Sequence, residues 1–92
     1  MQVVVQHRIL DPEKFFSMDA EEVAGGGPPD VQGRQFFPST DGSTAVCLWQ
    51  TDSIDSLRGY LDPATEGVSE NTYFEVDEQR SMGLPEAAAA GA

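Results

Sequence analysis

Cysteine is nearly absent from this 92-residue chain, where Cys47 stands alone. No disulfide can form within it, and with His7 as the single histidine no zinc-finger spacing exists. Basic side chains are scarce as well. Five Lys and Arg face sixteen Asp and Glu, for a formal charge of −11. Repulsion from phosphate argues against nucleic acid as a partner, and against anionic membrane surfaces. The acids are spread along the chain, which reads as a solvated surface rather than an acidic docking patch. No apolar run approaches the roughly 20 residues that span a bilayer. The first ten residues, MQVVVQHRIL, lack the basic region and apolar stretch of a signal peptide. The expected compartment is the cytoplasm, with no membrane partner.

A chain this short makes one domain and buries only about 60–65% of its unfolded surface. Small domains gain stability from disulfides, a metal or a partner subunit. With the first excluded, self-association into a homodimer is the natural expectation.

What is present is a series of short periodic segments. Val3 to Ile9 is β-branched and alternates, with Val3, Val5, His7 and Ile9 on one face. Asp11-Pro12-Glu13 starts a helix, by capping, by proline in the first turn and by a favourable charge. That helix is expected to run unbroken to Val23 with Phe16, Ala20 and Val23 on its apolar side, and Gly25-Gly26-Gly27-Pro28-Pro29 then ends it. No lysine follows those glycines, so they are not a phosphate-binding loop. Gly33 to Ser39 reads as a second strand and Ser43 to Gln50 as a third, joined by the Asp41-Gly42 turn. The third strand is apolar on both faces and should be central. Asp52 or Ser53 caps a second helix, whose stripe is Ile54, Leu57 and Leu61 and whose end is expected by Asp62, because Pro63 follows. Thr72 to Val76 completes the set as a fourth strand.

The order β-α-β-β-α-β predicts an α+β, ferredoxin-like domain. Its four-stranded antiparallel sheet should carry two helices on one face. It should occupy residues 1–80, with 81–92 a flexible tail of Glu-Ala-Ala-Ala-Ala-Gly-Ala character. The opposite, open face would then need a second subunit or a ligand over it.

The stretch TAVCLWQTDSIDSLRGYLD, Thr44 to Asp62, followed by Asn71 to Asp77, resembles a group of small uncharacterised bacterial proteins common in actinobacteria. It is more distantly similar to the DUF4242 family of ferredoxin-like nickel-binding proteins. Through that class it is similar to dimeric α/β barrel proteins, which include quinone-type monooxygenases and haem-handling enzymes. The shared feature is a hairpin-then-helix unit with a cysteine in the third strand, within residues 2–80. The resemblance implies the fold, a homodimer and a nickel or other metal site, and no catalytic motif of those enzymes is matched.

His7 reads either as a hydrogen-bonded strand residue or as a metal ligand or general base. Cys47 reads either as a packed hydrophobe or as a thiolate ligand. If register brings His7, Cys47 and Glu75 to one face, they form a ligand set for a divalent metal such as zinc or nickel. Arg34, Phe36, Trp49 and Tyr73 are the candidate lining of a pocket for a flat organic molecule. Asp52 and Asp55 are helix-start charges.

Three functions fit: a homodimeric small-molecule- or metal-binding protein using the open sheet face, a cofactor-free oxygenase or isomerase acting on an aromatic or quinone-like molecule, and a non-catalytic interaction dimer. The sequence offers no combination of acid, base and nucleophile that makes it an enzyme, so binding comes first.

Overall fold

The computed structural model describes residues 1–85. Its elements are β1 (Gln2–Ile9), α1 (Pro12–Ser17), α2 (Ala20–Gly25), β2 (Gln32–Pro38), β3 (Thr44–Gln50), α3 (Ile54–Ala64) and β4 (Ser69–Glu75). The strands form one antiparallel sheet in the order β2-β3-β1-β4. This is the α+β ferredoxin-like arrangement, with the apolar third strand in the interior and Pro38 at the end of an edge strand, where its missing N–H costs least.

The first helical segment is two helices, not one. Asp11 caps α1, accepting from Lys14 N–H at 3.1 Å. The chain turns extended at Met18, and Asp19 caps α2, accepting from the N–H groups of Glu21 at 2.9 Å and Glu22 at 3.3 Å. The second cap competes with helix propagation and wins. The break rotates the apolar face. Phe15 is buried and Phe16 is 46% exposed, the reverse of a continuous helix. In α3 the helix crosses Pro63 and ends at Ala64. Thr65 N–H still donates to the Leu61 carbonyl at 3.0 Å, so the proline removes one bond and not the last turn.

Strand alternation sets the layers. Val3, Val5, His7 and Ile9 of β1 and Ala45, Cys47 and Trp49 of β3 are all buried. Leu57 and Leu61 of α3 and Val31 pack with Val3, Val5, Cys47 and Trp49, while Phe15 of α1 packs with Ile9 and Ala45. All three helices therefore cover the same face. On the other face Phe37, Val46 and Phe74 are exposed.

The β2–β3 hairpin turns at Asp41-Gly42. Gly42 has φ +75°, a left-handed conformation that glycine adopts without a Cβ penalty. The Asp41 carboxylate accepts from Ser43 N–H at 3.0 Å and from the Ser43 and Ser39 hydroxyls at 2.7 Å each. These bonds, led by the Ser43 backbone, hold its pKa down at about 2. Past β4 the chain doubles back. Gln2 Nε2 donates to Glu78 Oε1 at 3.2 Å and to the Pro85 carbonyl at 3.3 Å. The start of the expected tail is thus tied to the first strand, and residues 86–92 lie outside the described residues. Among the described residues no helix is long and apolar enough to cross a membrane.

Candidate functional site

His7 and Cys47 meet under the helices. Both point to the covered face by the alternation of their strands. In the β1–β3 register Val5 is opposite Cys47 and His7 opposite Ala45, so the two lie on a diagonal. His7 Nε2 is 3.1 Å from Cys47 Sγ. On the other side, β4 places Asn71 directly opposite His7, and Nδ1 is 2.7 Å from Asn71 Oδ1.

The network around Asn71 decides where the protons are. Asn71 Nδ2 donates to Thr65 Oγ1 at 2.8 Å and to Asp62 Oδ1 at 3.1 Å. A carboxylate only accepts, so the amide NH2 must face Asp62 and its oxygen must face His7. Nδ1 of His7 therefore carries the hydrogen. Burial disfavours the charged imidazolium and lowers the His7 pKa, which the bond to Asn71 opposes only in part. Burial likewise pushes the Cys47 thiol up to about 12, with the Trp49 side chain pulling the other way. The resting pair is a neutral imidazole accepting a hydrogen bond from a neutral thiol.

A cavity of about 320 Å³ opens beside this pair, between the sheet and the helices. Phe15, Phe16, Met18, Phe36 and Trp49 supply much of its apolar wall, and His7 and Cys47 line it too. The rings interlock: Phe15 meets His7 edge-on at 5.4 Å and lies 6.2 Å from Phe36 between centroids. Glu21 and Arg34 also line the cavity. Mostly apolar walls with a few placed polar groups are the usual makeup of a small-ligand site, and this volume is at the small end of the range.

Of the expected pocket residues, Arg34, Phe36 and Trp49 line this cavity and Tyr73 does not. Tyr73 sits opposite Val5 on β4 and donates its hydroxyl to Asp62 Oδ1 at 2.6 Å, with the Arg58 guanidinium 4.9 Å from its ring centroid. Burial, then the bond to Asp62, raises its pKa. The expected metal set is corrected too. Glu75 is exposed and pairs with Val3, four residues along β1 from His7, a displacement of roughly 13 Å at strand rise. Among the described residues no three His, Cys, Asp or Glu side chains are grouped to hold a metal ion. The site also lies on the covered face, not the open one, because Cys47, Trp49 and Phe36 alternate inward with Val3 and Val5.

Asn71 and Phe15 were the residues that sequence reasoning missed. Asn71 alternates with Thr72 and shares a face with Tyr73, but only the β1–β4 register shows that it lies opposite His7.

The buried neutral histidine makes stability depend on pH. The folded pKa lies below the unfolded value of about 6.5, so the unfolded chain binds more protons between the two. Stability is then full above about pH 7 and falls as pH drops below 6.5, with a limiting slope of about 1.4 kcal/mol per pH unit for one proton. Urea midpoints measured from pH 7.5 to 5 should show this fall, and His7→Gln should remove that component of it. An unchanged pH dependence in the variant would assign the effect to other groups.

No family model, curated protein or solved structure matches this chain.

Proposed function

We propose that this chain is a small-molecule-binding protein, holding a compact, flat, largely apolar ligand in the sheet–helix cavity. The observation that carries this is the cavity itself, with aromatic walls and the His7–Cys47 pair among its polar lining. A ligand lying against Phe36, Phe15 and Trp49 would gain from apolar burial, and a donor at its end would meet the Cys47 sulfur, whose own hydrogen goes to His7.

The same reading includes a homodimer through the open face. Its support is the exposed Phe37, Val46 and Phe74 and the small size of the domain, together with the resemblance to dimeric α/β barrel proteins. Ligand and partner would then use opposite faces of one sheet. A cofactor-free oxygenase or isomerase draws on one observation, a neutral imidazole in the cavity with its tautomer set by Asn71. The atom that would act as base, Nε2, is already engaged by Cys47, which favours binding over that chemistry.

Trp49 is the only tryptophan and lines the cavity, so its fluorescence reports occupancy. 4-Nitrobenzyl alcohol, a compact aromatic quencher, should quench it saturably with a Kd of about 10 μM to 1 mM, a range set by the small number of ligand atoms. Ala20→Phe, which adds a ring at an exposed position lining the cavity, should weaken binding about 10-fold and leave stability within about 0.5 kcal/mol. Linear, unsaturable quenching in both proteins would overturn the cavity reading. Native mass spectrometry tests the pairing separately, and a monomer at micromolar concentration would overturn that part alone.

A further inference from the structure

We infer that Cys47 is a nucleophile for conjugated carbonyl compounds admitted to the cavity, with His7 as the base that takes its proton and Asn71 as the residue that positions His7. This rests on the binding reading and names the ligand class: flat α,β-unsaturated carbonyls, including quinone-like rings.

Three features together point to it. The first is the ordered line Asn71 Oδ1, His7 Nδ1, His7 Nε2, Cys47 Sγ, with steps of 2.7 Å and 3.1 Å either side of the ring. A base held within reach of a nucleophile and oriented by a third group is the general arrangement for activating a thiol or hydroxyl. The second is access. Cys47 and His7 both line the cavity, so a ligand there reaches the sulfur without unfolding. The third is Trp49, which is 3% exposed; its indole Nε1 is buried with no hydrogen bond of ordinary geometry, while its side chain bears on Cys47 and favours the charged sulfur against burial. A loosely held buried donor facing the reacting sulfur is suited to a sulfur gaining charge, and can turn to a carbonyl oxygen that arrives there.

The step balances within these groups. The sulfur bonds to the β-carbon as the carbon–carbon π bond breaks. The thiol proton passes to His7 Nε2, and from there to the enolate that forms. No outside oxidant or reductant takes part. The line continues outward from Asn71 to Asp62 and Thr65, so the positioning amide is itself held in place. The ionisable groups around the pair are Glu21 of α2 and Arg34 of β2 in the cavity wall, Asp62 of α3 behind Asn71, and Tyr73 of β4.

N-phenylmaleimide with intact-mass detection tests this on the full chain, which has one thiol to modify. At pH 7 the folded protein should form a single adduct on Cys47 at least about 10-fold faster than the same chain in urea, an advantage that narrows toward pH 8.5 as the unfolded thiol ionises. The folded rate should be flat from pH 7 to 8.5, because base and thiol are both in their working forms throughout. An ordinary thiol instead gains about tenfold per pH unit below its pKa. His7→Gln should slow the folded rate about 100-fold, the usual weight of a positioned base. A buried, inert cysteine gives the opposite pattern: protection on folding, and a rate that climbs with pH. Either would overturn the proposal, and the wild-type profile alone decides it if the variant does not fold. Saturable binding of 4-nitrobenzyl alcohol with no folded-state adduct would remove the nucleophile and keep the cavity. No saturable binding, with an adduct that forms only in urea, would remove both.

Discussion

Replacing Leu57 by alanine is expected to lower the unfolding free energy by about 3–4 kcal/mol, within the range for a leucine truncated in a core. Leu57 is 0% exposed and packs in the cluster of Val3, Val5, Val31, Cys47, Trp49 and Leu61. Val3, Val5, Cys47 and Trp49 belong to the two interior strands, each hydrogen-bonded on both sides. A sheet pinned this way cannot collapse into the space left by an isobutyl group, so the cavity term is kept nearly in full. A domain of this size has roughly 5–14 kcal/mol in total, so one side chain removes a large share. Urea unfolding followed by Trp49 fluorescence should show the midpoint fall by about 2–3 M with the slope unchanged. Leu10→Ala, at a position 46% exposed, should move it by less than about 0.5 kcal/mol. A Leu57 loss under about 1.5 kcal/mol would mean the helix-covered core is not where the stability resides.

The second large effect belongs to Gly33. A Cβ at this position would lie 2.6 Å from Ala24 Cβ and 2.9 Å from Ala24 Cα. The obstacle includes helix backbone, which no side-chain rotation can clear. Valine at position 33 can fit only if α2 retreats from β2. That retreat strains the bond from Tyr60 Oη to the Val23 carbonyl, now 2.7 Å. It also reshapes the cavity, since Val23 and Ala24 form part of its wall. Gly33→Val should therefore cost about 2–3 kcal/mol, as overpacking of this kind does, and should weaken the aromatic probe about 10-fold or more. Gly33→Ala should act in the same direction to a smaller extent. A valine variant that binds and unfolds like the parent would show that α2 is not seated against the strand.

These two positions differ in how visible they are in the sequence. Leu57 stands out because Ile54, Leu57 and Leu61 recur at helical spacing. Gly33 does not, since a glycine at the start of a strand reads as a boundary until the helix that presses on it is in place. The break between α1 and α2 was open to reading, because Asp19 is a capping residue type and Glu21 and Glu22 suit a first turn. Lys14 to Val23 satisfies a single helical period equally well, so the local pattern does not choose between one helix and two. Pro63 argued for an early helix end, and the cost of one missing N–H proved smaller than the gain from seating Leu61, which is 2% exposed, in the core.

The candidate site divides along the same line. The alternation of β1 put His7 with Val3 and Val5, and that much is local. Whether Cys47 falls beside it depends on register, since a slip of one residue moves every side chain to the other face. Register also separates the expected Glu75 from Asn71 on β4. Asn71 and Glu75 share a face, yet Asn71 is opposite His7 and Glu75 opposite Val3. Alternation alone does not tell them apart, and only the pairing does.

Local sequence was enough for the order of the four strands, the Asp41-Gly42 hairpin, the capped start at Asp11-Pro12, and which residues of each strand share a face. Each of these is decided by neighbours a few bonds away, through backbone sterics, capping and period. The tertiary structure decided the Asn71–His7–Cys47 line, the exclusion of Glu75 and Tyr73, and the placing of the cavity under the helices. Those depend on contacts between residues 40 and 64 positions apart. Such contacts form only when strand register and helix packing bury the most apolar surface together.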